Sequence, residues 1–99
     1  MKFSRTDSAN EATLTIEGTL DAVTAPEIRP TIDDIVAEKC AHVVVDLAGL
    51  ELIDSSGIAV IVSLYKRLRA NGGKFTVAGL RDQPLTIFKL LRMDRVFGP

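Results

Sequence analysis

Residues 50–68 read LELIDSSGIAVIVSLYKRL, an apolar run that passes through Asp54-Ser55-Ser56-Gly57 into a helical pattern. On a wheel of about 100° per residue, Ile61 centres one face with Gly57, Ile58, Leu64, Tyr65 and Leu68. Ser56, Ala59, Ser63, Lys66, Arg67 and Ala70 collect opposite, with Ser55 near the edge. The spacing predicts a helix with one buried side and a flat exposed strip, not a pocket, on the other. One capping residue suffices to begin a helix, and Asp54 or Ser55 in that role contributes about 1 kcal/mol. Three candidates followed by a glycine ask for a second reason. Glycine costs up to about 1 kcal/mol in a helix interior, and it leaves the backbone open to a second molecule. Consecutive hydroxyls at a helix N-terminus also suit a phosphoryl group, since unpaired N–H groups and the positive dipole end tolerate its charge.

Outward from this stretch, strands and helices alternate. HVVVDL (42–47) is a β-branched apolar run that predicts a strand covered on both faces. Before it, Ile28, Ile32, Ile35 and Val36 fall at helical spacing, and Thr24-Ala25-Pro26-Glu27 has the form of a capping box. Pro30 lacks the N–H that would bond back to residue 26, so either the regular helix begins near Pro30 or it bends there. ATLTIEGTL (12–20) places Leu14, Ile16, Gly18 and Leu20 on one face of a half-buried strand, and a shorter strand near Phe3 is faintly marked. Downstream, Asn71-Gly72-Gly73 supplies a left-handed turn, KFTVAGL (74–80) a further strand, and Asp82 the cap of a last helix carrying Leu85, Phe88 and Leu91 on one side. The expected architecture is α/β: a mixed sheet of about four strands with amphipathic helices packed on it.

Composition sets the surroundings. Ninety-nine residues build one domain with one modest core. Twelve basic and thirteen acidic residues leave a formal net charge of −1, so no bulk field draws nucleic acid or an anionic membrane. Cys40 stands alone, which excludes an internal disulfide, offers no metal-ligand spacing and suits a reducing compartment. The opening MKFSRTDSANE has no apolar signal-peptide core, and the longest apolar run, Ile58–Val62, is far short of a membrane span. A cytoplasmic protein is expected. No G-x-S-x-G elbow, P-loop or G-x-G-x-x-G occurs. The only histidine, His42, opens a strand and does not face a serine; Cys40 reads as a packed residue. Neither an enzyme nor a cofactor or metal is expected.

VVVDLAGLELIDSSGIAVIVSLYKRLRANGGKFTVAGL (43–80) resembles the core of a STAS domain, the fold of bacterial anti-anti-sigma factors (anti-sigma factor antagonists). IEGTLDAVTAPEI (16–28) is similar to that family's G-x-L-D-x-x-[TS]-A segment, and LRMDRVF (91–97) to its closing pattern. Segment order and spacing match over nearly the whole chain, implying a single STAS domain over residues 1–99. Family members usually continue past the closing pattern into a last strand and terminal helix, whereas this sequence stops at Gly98-Pro99.

The resemblance implies partner switching. The kinase target would be the serine directly after the aspartate, Ser55, with Ser56 as second choice. The unphosphorylated form would bind and sequester an anti-sigma factor that is also a serine kinase of the histidine-kinase-like ATPase fold. Phosphorylation would release that partner until a PP2C-type phosphatase removed the phosphate. Asp21 and Thr24 match the family's acidic and hydroxyl residues in the neighbouring loop, expected beside Ser55, where Asp21 either orients groups or shapes its loop. Asp54 is expected to act both as cap and as recognition element, with Gly57 beside it. Ala59, Ser63, Lys66 and Arg67 continue as a docking strip or an ordinary solvated face, and the free protein is expected to be monomeric. The alternative is a constitutive STAS scaffold in a stress-signalling or lipid-transport complex. The intact Asp-Ser-Ser-Gly segment favours switching.

Overall fold

Small and branched apolar residues at every second position make the longest strand. In the computed structural model, which describes residues 1–93, β2 (Glu11–Leu20) buries Ala12, Leu14 and Ile16 on one face and leaves Thr13 and Thr15 half-buried on the other. β1 (Lys2–Ser8) runs antiparallel to it. β3 (His42–Asp46) pairs parallel with the first half of β2, and β5 (Lys74–Ala78) pairs parallel with β3. β4 (Leu50–Ile53) pairs parallel with the last residues of β2, after a register shift between Gly18 and Thr19. The mixed α/β sheet is as expected, with five strands among the described residues in place of about four. β1 is exposed at all but one position and so shows no alternation. β4, with only four residues, is too short to show one.

Two helices seal the apolar face. Ile28, Ile32 and Ile35 of α1 (Ala25–Ala37) join Ile61, Leu64 and Leu68 of α2 (Ser55–Ala70) in one cluster with the strand residues. Each fully buried Ile or Leu contributes roughly 1.5–3 kcal/mol. α3 (Asp82–Leu90) packs beside β4 and buries Pro84 and Phe88. Val43 and Val45 are buried but Val44 only half so, which corrects the reading of HVVVDL as covered on both faces. The helices α1 and α2 share one side of the sheet.

Several local expectations change. α1 begins at Ala25 and passes through Pro30 without delay. Thr24 stands at its N-cap in helical backbone and makes no cap bond, because its hydroxyl is engaged elsewhere. Asp82 does not cap α3: the N-cap is Arg81, with no side-chain bond, and Asp82 itself has φ +54°. Leu85 is half-buried and Leu91 is 56% exposed, so Phe88 alone of the expected stripe reaches the core. The expected helix stop holds, with Gly72 at φ +77° and the Gly73 N–H donating to Leu68 O. The closing LRMDRVF pattern from Asp94 onward lies outside the described residues.

Candidate functional site

Parallel strands β2 and β4 end side by side. Leu20 pairs with Ile53, and the Asp54 N–H donates to Leu20 O at 3.3 Å. The Asp21 loop and the Asp54-Ser55-Ser56-Gly57 segment therefore leave the same rim of the sheet. Asp54 is extended (φ −118°, ψ −171°), and its Oδ1 accepts the N–H groups of Ser56 (2.9 Å) and Gly57 (3.1 Å). Its carbonyl accepts from Ile58 N–H at 2.9 Å. The cap is thus filled by Asp54 alone. The hydroxyls of Ser55, exposed, and Ser56, half-buried, make no hydrogen bond among the described residues.

Gly57 faces the sheet. It is buried, and an added Cβ would stand 2.5 Å from Leu20 O and 2.7 Å from Ile53 Cγ1. Its missing side chain lets the first turn of α2 cross the end of β2. This revises the sequence reading, in which the glycine opened the backbone to a second molecule.

The Asp21 loop is knit by its own residues. Asp21 Oδ1 accepts the N–H groups of Val23 and Thr24, each at 3.0 Å. Thr24 Oγ1 accepts the Asp21 N–H at 2.9 Å and donates to Thr19 O at 2.9 Å. The hydrogen bond from the Thr24 N–H, reinforced by that from Val23, holds the Asp21 carboxyl below the usual carboxylate range. Asp21 and Thr24 both shape the loop, which leaves the sheet at the same rim as the serine segment. At its tip Val23 is 81% exposed. Sequence reasoning passed over Val23, although a valine between Asp21 and Thr24 in a loop segment was the available signal.

The outer side of α2 exposes Ala59, Ser63, Lys66 and Arg67, as the wheel predicted. It is not flat. Arg29, Ile32 and Asp33 of α1 form the other wall of a groove of about 250 Å³ floored by Val60. Arg67 Nη1 reaches across to Asp33 Oδ1 at 2.7 Å. The wheel treated α2 in isolation and could not show that α1 lies close enough to build this wall.

The opposite rim holds a second cluster. His42 Nδ1 lies 3.0 Å from Glu11 Oε2, and its Nε2 lies 2.8 Å from Thr76 Oγ1. His42 does face a hydroxyl, then, but from the far end of the sheet, with the surrounding strands engaged in their ladder. On the helix side of that rim, Arg5 holds Glu38 through two bonds of 2.7 and 2.8 Å and Asp7 through one of 3.0 Å. Cys40 is half-buried against the core. Among the described residues no group of His, Cys, Asp or Glu is arranged to hold a metal ion, and no helix is long and apolar enough to cross a membrane.

Comparison with known proteins sets this geometry beside a family, a relative and three solved structures. The STAS-domain profile matches residues 3–99. The anti-sigma F factor antagonist of Paenibacillus polymyxa is 31% identical over 83 residues, covering 83% of this chain and 68% of that protein. An anti-sigma factor antagonist from Mycobacterium paratuberculosis, 25% identical, superposes with a TM-score of 0.88 over 97% of this chain and 81% of that one. SpoIIAA, a Bacillus cell-fate determinant, has the same fold at 18% identity, with a TM-score of 0.74 over 99% of this chain and 100% of its own in its unphosphorylated form. Its phosphorylated form, at 20% identity, gives 0.70 over 96% and 99%.

Proposed function

The chain belongs to the STAS-domain family, and on that premise we propose that it is an anti-sigma factor antagonist that changes partners when Ser55 is phosphorylated. The observation that carries this reading is the division of labour at the start of α2. Asp54 supplies the cap for both Ser56 and Gly57, so Ser55 is not needed to hold the helix and presents an exposed hydroxyl. The names of the relatives, anti-sigma F and anti-sigma-B factor antagonists, support the regulatory role. The existence of SpoIIAA in unphosphorylated and phosphorylated forms supports the switch.

A phosphate on Ser55 adds about −1.5 to −2 charges next to the Asp54 carboxylate. The Ser56 and Gly57 N–H groups that would otherwise neutralise it are already bonded to Asp54. The helix dipole offsets only about 0.3–1 kcal/mol, so the added charge stays at the surface, facing whatever docks there. Reversing a 99:1 partner preference takes about 5.5 kcal/mol of differential binding, and burying a poorly neutralised dianion against a partner supplies an effect of that order. The switch therefore works by steric and electrostatic exclusion, with no large rearrangement.

The docking surface comprises the serine segment, Val23 at the tip of the Asp21 loop, and the α2 strip with Ala59, Ser63, Lys66 and Arg67. The unphosphorylated protein binds an anti-sigma factor that is also its serine kinase, of the histidine-kinase-like ATPase fold, and a PP2C-type phosphatase restores this state. Intact-mass spectrometry after incubation with such a kinase and ATP tests the reading. The gain of one phosphate in wild type and in Ser56→Ala, lost in Ser55→Ala, is expected. Wild type that binds the kinase but takes no phosphate would identify a constitutive scaffold instead.

A further inference from the structure

Among the described residues β4 has a strand partner on one side only. Its alternation sends the Asp54 N–H toward β2 and turns the polar groups of Ile53 outward, to an edge without a strand among the described residues. The Gln83 side chain fills that place. Ile53 N–H donates to Gln83 Oε1 at 3.0 Å, and Gln83 Nε2 donates to Ile53 O at 3.0 Å. A carboxamide offers one acceptor and a donor side by side, as the backbone of an adjoining strand does.

The contact is the end of a longer seam. Leu47 N–H donates to Ala78 O at 2.8 Å, and Arg81 Nε donates to Ala48 O at 2.8 Å. Between them Gly79 (φ +76°) lies so close that an added Cβ would stand 2.8 Å from Ala48. Residues 78–83 thus follow the edge of residues 47–53, first through the backbone and then through side chains. At its end the Ile53–Asp54 peptide is held from both sides, its N–H by Leu20 and its carbonyl by Gln83. The next residue is the putting-forward point of the switch, Ser55.

We propose that Gln83 is a positioning residue of the switch, its carboxamide standing in for a missing strand and fixing the Ile53–Asp54 peptide from which Asp54 caps α2 and Ser55 projects. The role in switching rests on the reading of Ser55 as phosphoacceptor, whereas the hold on Ile53 does not. It also links α3 to the serine segment, so that displacement of α3 loosens the cap.

Amide hydrogen exchange on the full chain tests the hold without a kinase. In Gln83→Ala, protection at Ile53, Ser56, Gly57 and Ile58 falls about tenfold or more, the loss expected when both hydrogen bonds to Gln83 go, while Ile32 and Ile35 in α1 keep theirs. Gln83→Glu separates bonding from packing. Its ionised carboxylate accepts from Ile53 N–H but has no proton for Ile53 O, so at pH 7 protection drops at Ser56, Gly57 and Ile58 while Ile53 keeps its own. Near pH 4 the protonated carboxyl regains a donor, and protection relative to wild type at the same pH recovers, as it does not in Gln83→Ala. Equal loosening of α1, or no recovery of Gln83→Glu in acid, overturns the hold. For the switch, phosphate incorporation at Ser55 slows in Gln83→Ala at saturating protein, with KM unchanged. An unchanged rate beside lost protection overturns the positioning role. A wild type that takes no phosphate refutes the Ser55 reading while the exchange result stands.

Discussion

The two rims of the parallel strands use similar side chains in opposite ways. At the rim where the strands begin, polar side chains satisfy one another: Arg5 with Glu38 and Asp7, His42 with Glu11 and Thr76. At the rim where they end, carboxylates satisfy backbone N–H groups, Asp54 in the helix cap and Asp21 in its loop. The first arrangement leaves those groups engaged. The second rigidifies the backbone and leaves the Ser55 hydroxyl and the Val23 side chain presented to solvent. A fixed scaffold with an exposed hydroxyl and an exposed apolar group suits the proposed docking surface, since ordering costs on binding are small.

The largest expected effect tests the scaffold itself. Gly57→Ala forces a Cβ against Leu20 O and Ile53, and urea unfolding should show a loss of about 1–3 kcal/mol. A smaller loss would mean that the end of β2 yields and the rim is less rigid than the contrast requires. Val23→Asp comes next. Titration calorimetry with the proposed kinase partner should show affinity falling about tenfold, roughly 1.4 kcal/mol, while His42→Ala leaves it unchanged. Equal effects at the two sites would erase the distinction between the rims.

Asp54→Ala should cost about 1 kcal/mol in the same unfolding assay. A loss below a few tenths would mean that a serine takes over the cap, returning Ser55 to a structural role. The smallest effect is electrostatic. Arg5 lowers the Glu38 carboxyl, and the Asp21 loop lowers Asp21. Both folded values are depressed, so each contributes stability above its unfolded pKa, near 4.3 for Glu and 3.9 for Asp, that is lost as pH falls through the folded value. Carboxyl NMR titration should find both midpoints below those references. Arg5→Ala should return Glu38 to the ordinary range and leave Asp21 in place, with little change in stability because the pair is exposed.

Most of this organisation was legible where the pattern is local. Period-two burial along β2 and the buried face of α2 both follow the sequence spacing. The strand β1 was faint because it is exposed on both faces, and the capping box at Thr24 was wrong because the Asp21 N–H takes the acceptor side of the hydroxyl while its proton goes to the Thr19 carbonyl. Asp82 failed as a cap for a comparable reason: the backbone enters α3 with the residue already in a left-handed conformation. Local chemistry ranks candidates for a bond, and neighbours brought by the fold choose among them.

What the sequence determined by itself is the set of amphipathic elements, their order, and a serine segment opening the central helix on its exposed side. These depend on residues within a few positions of one another, so periodicity and capping rules reach them. Tertiary structure alone decided that Asp54 takes the whole cap, that Gly57 is small for Leu20, that α1 walls a groove beside α2, and that Gln83 completes β4. Each of the last three joins residues thirty or more positions apart. Strand register and helix packing bring such pairs together, and neither is written in any short stretch of chain.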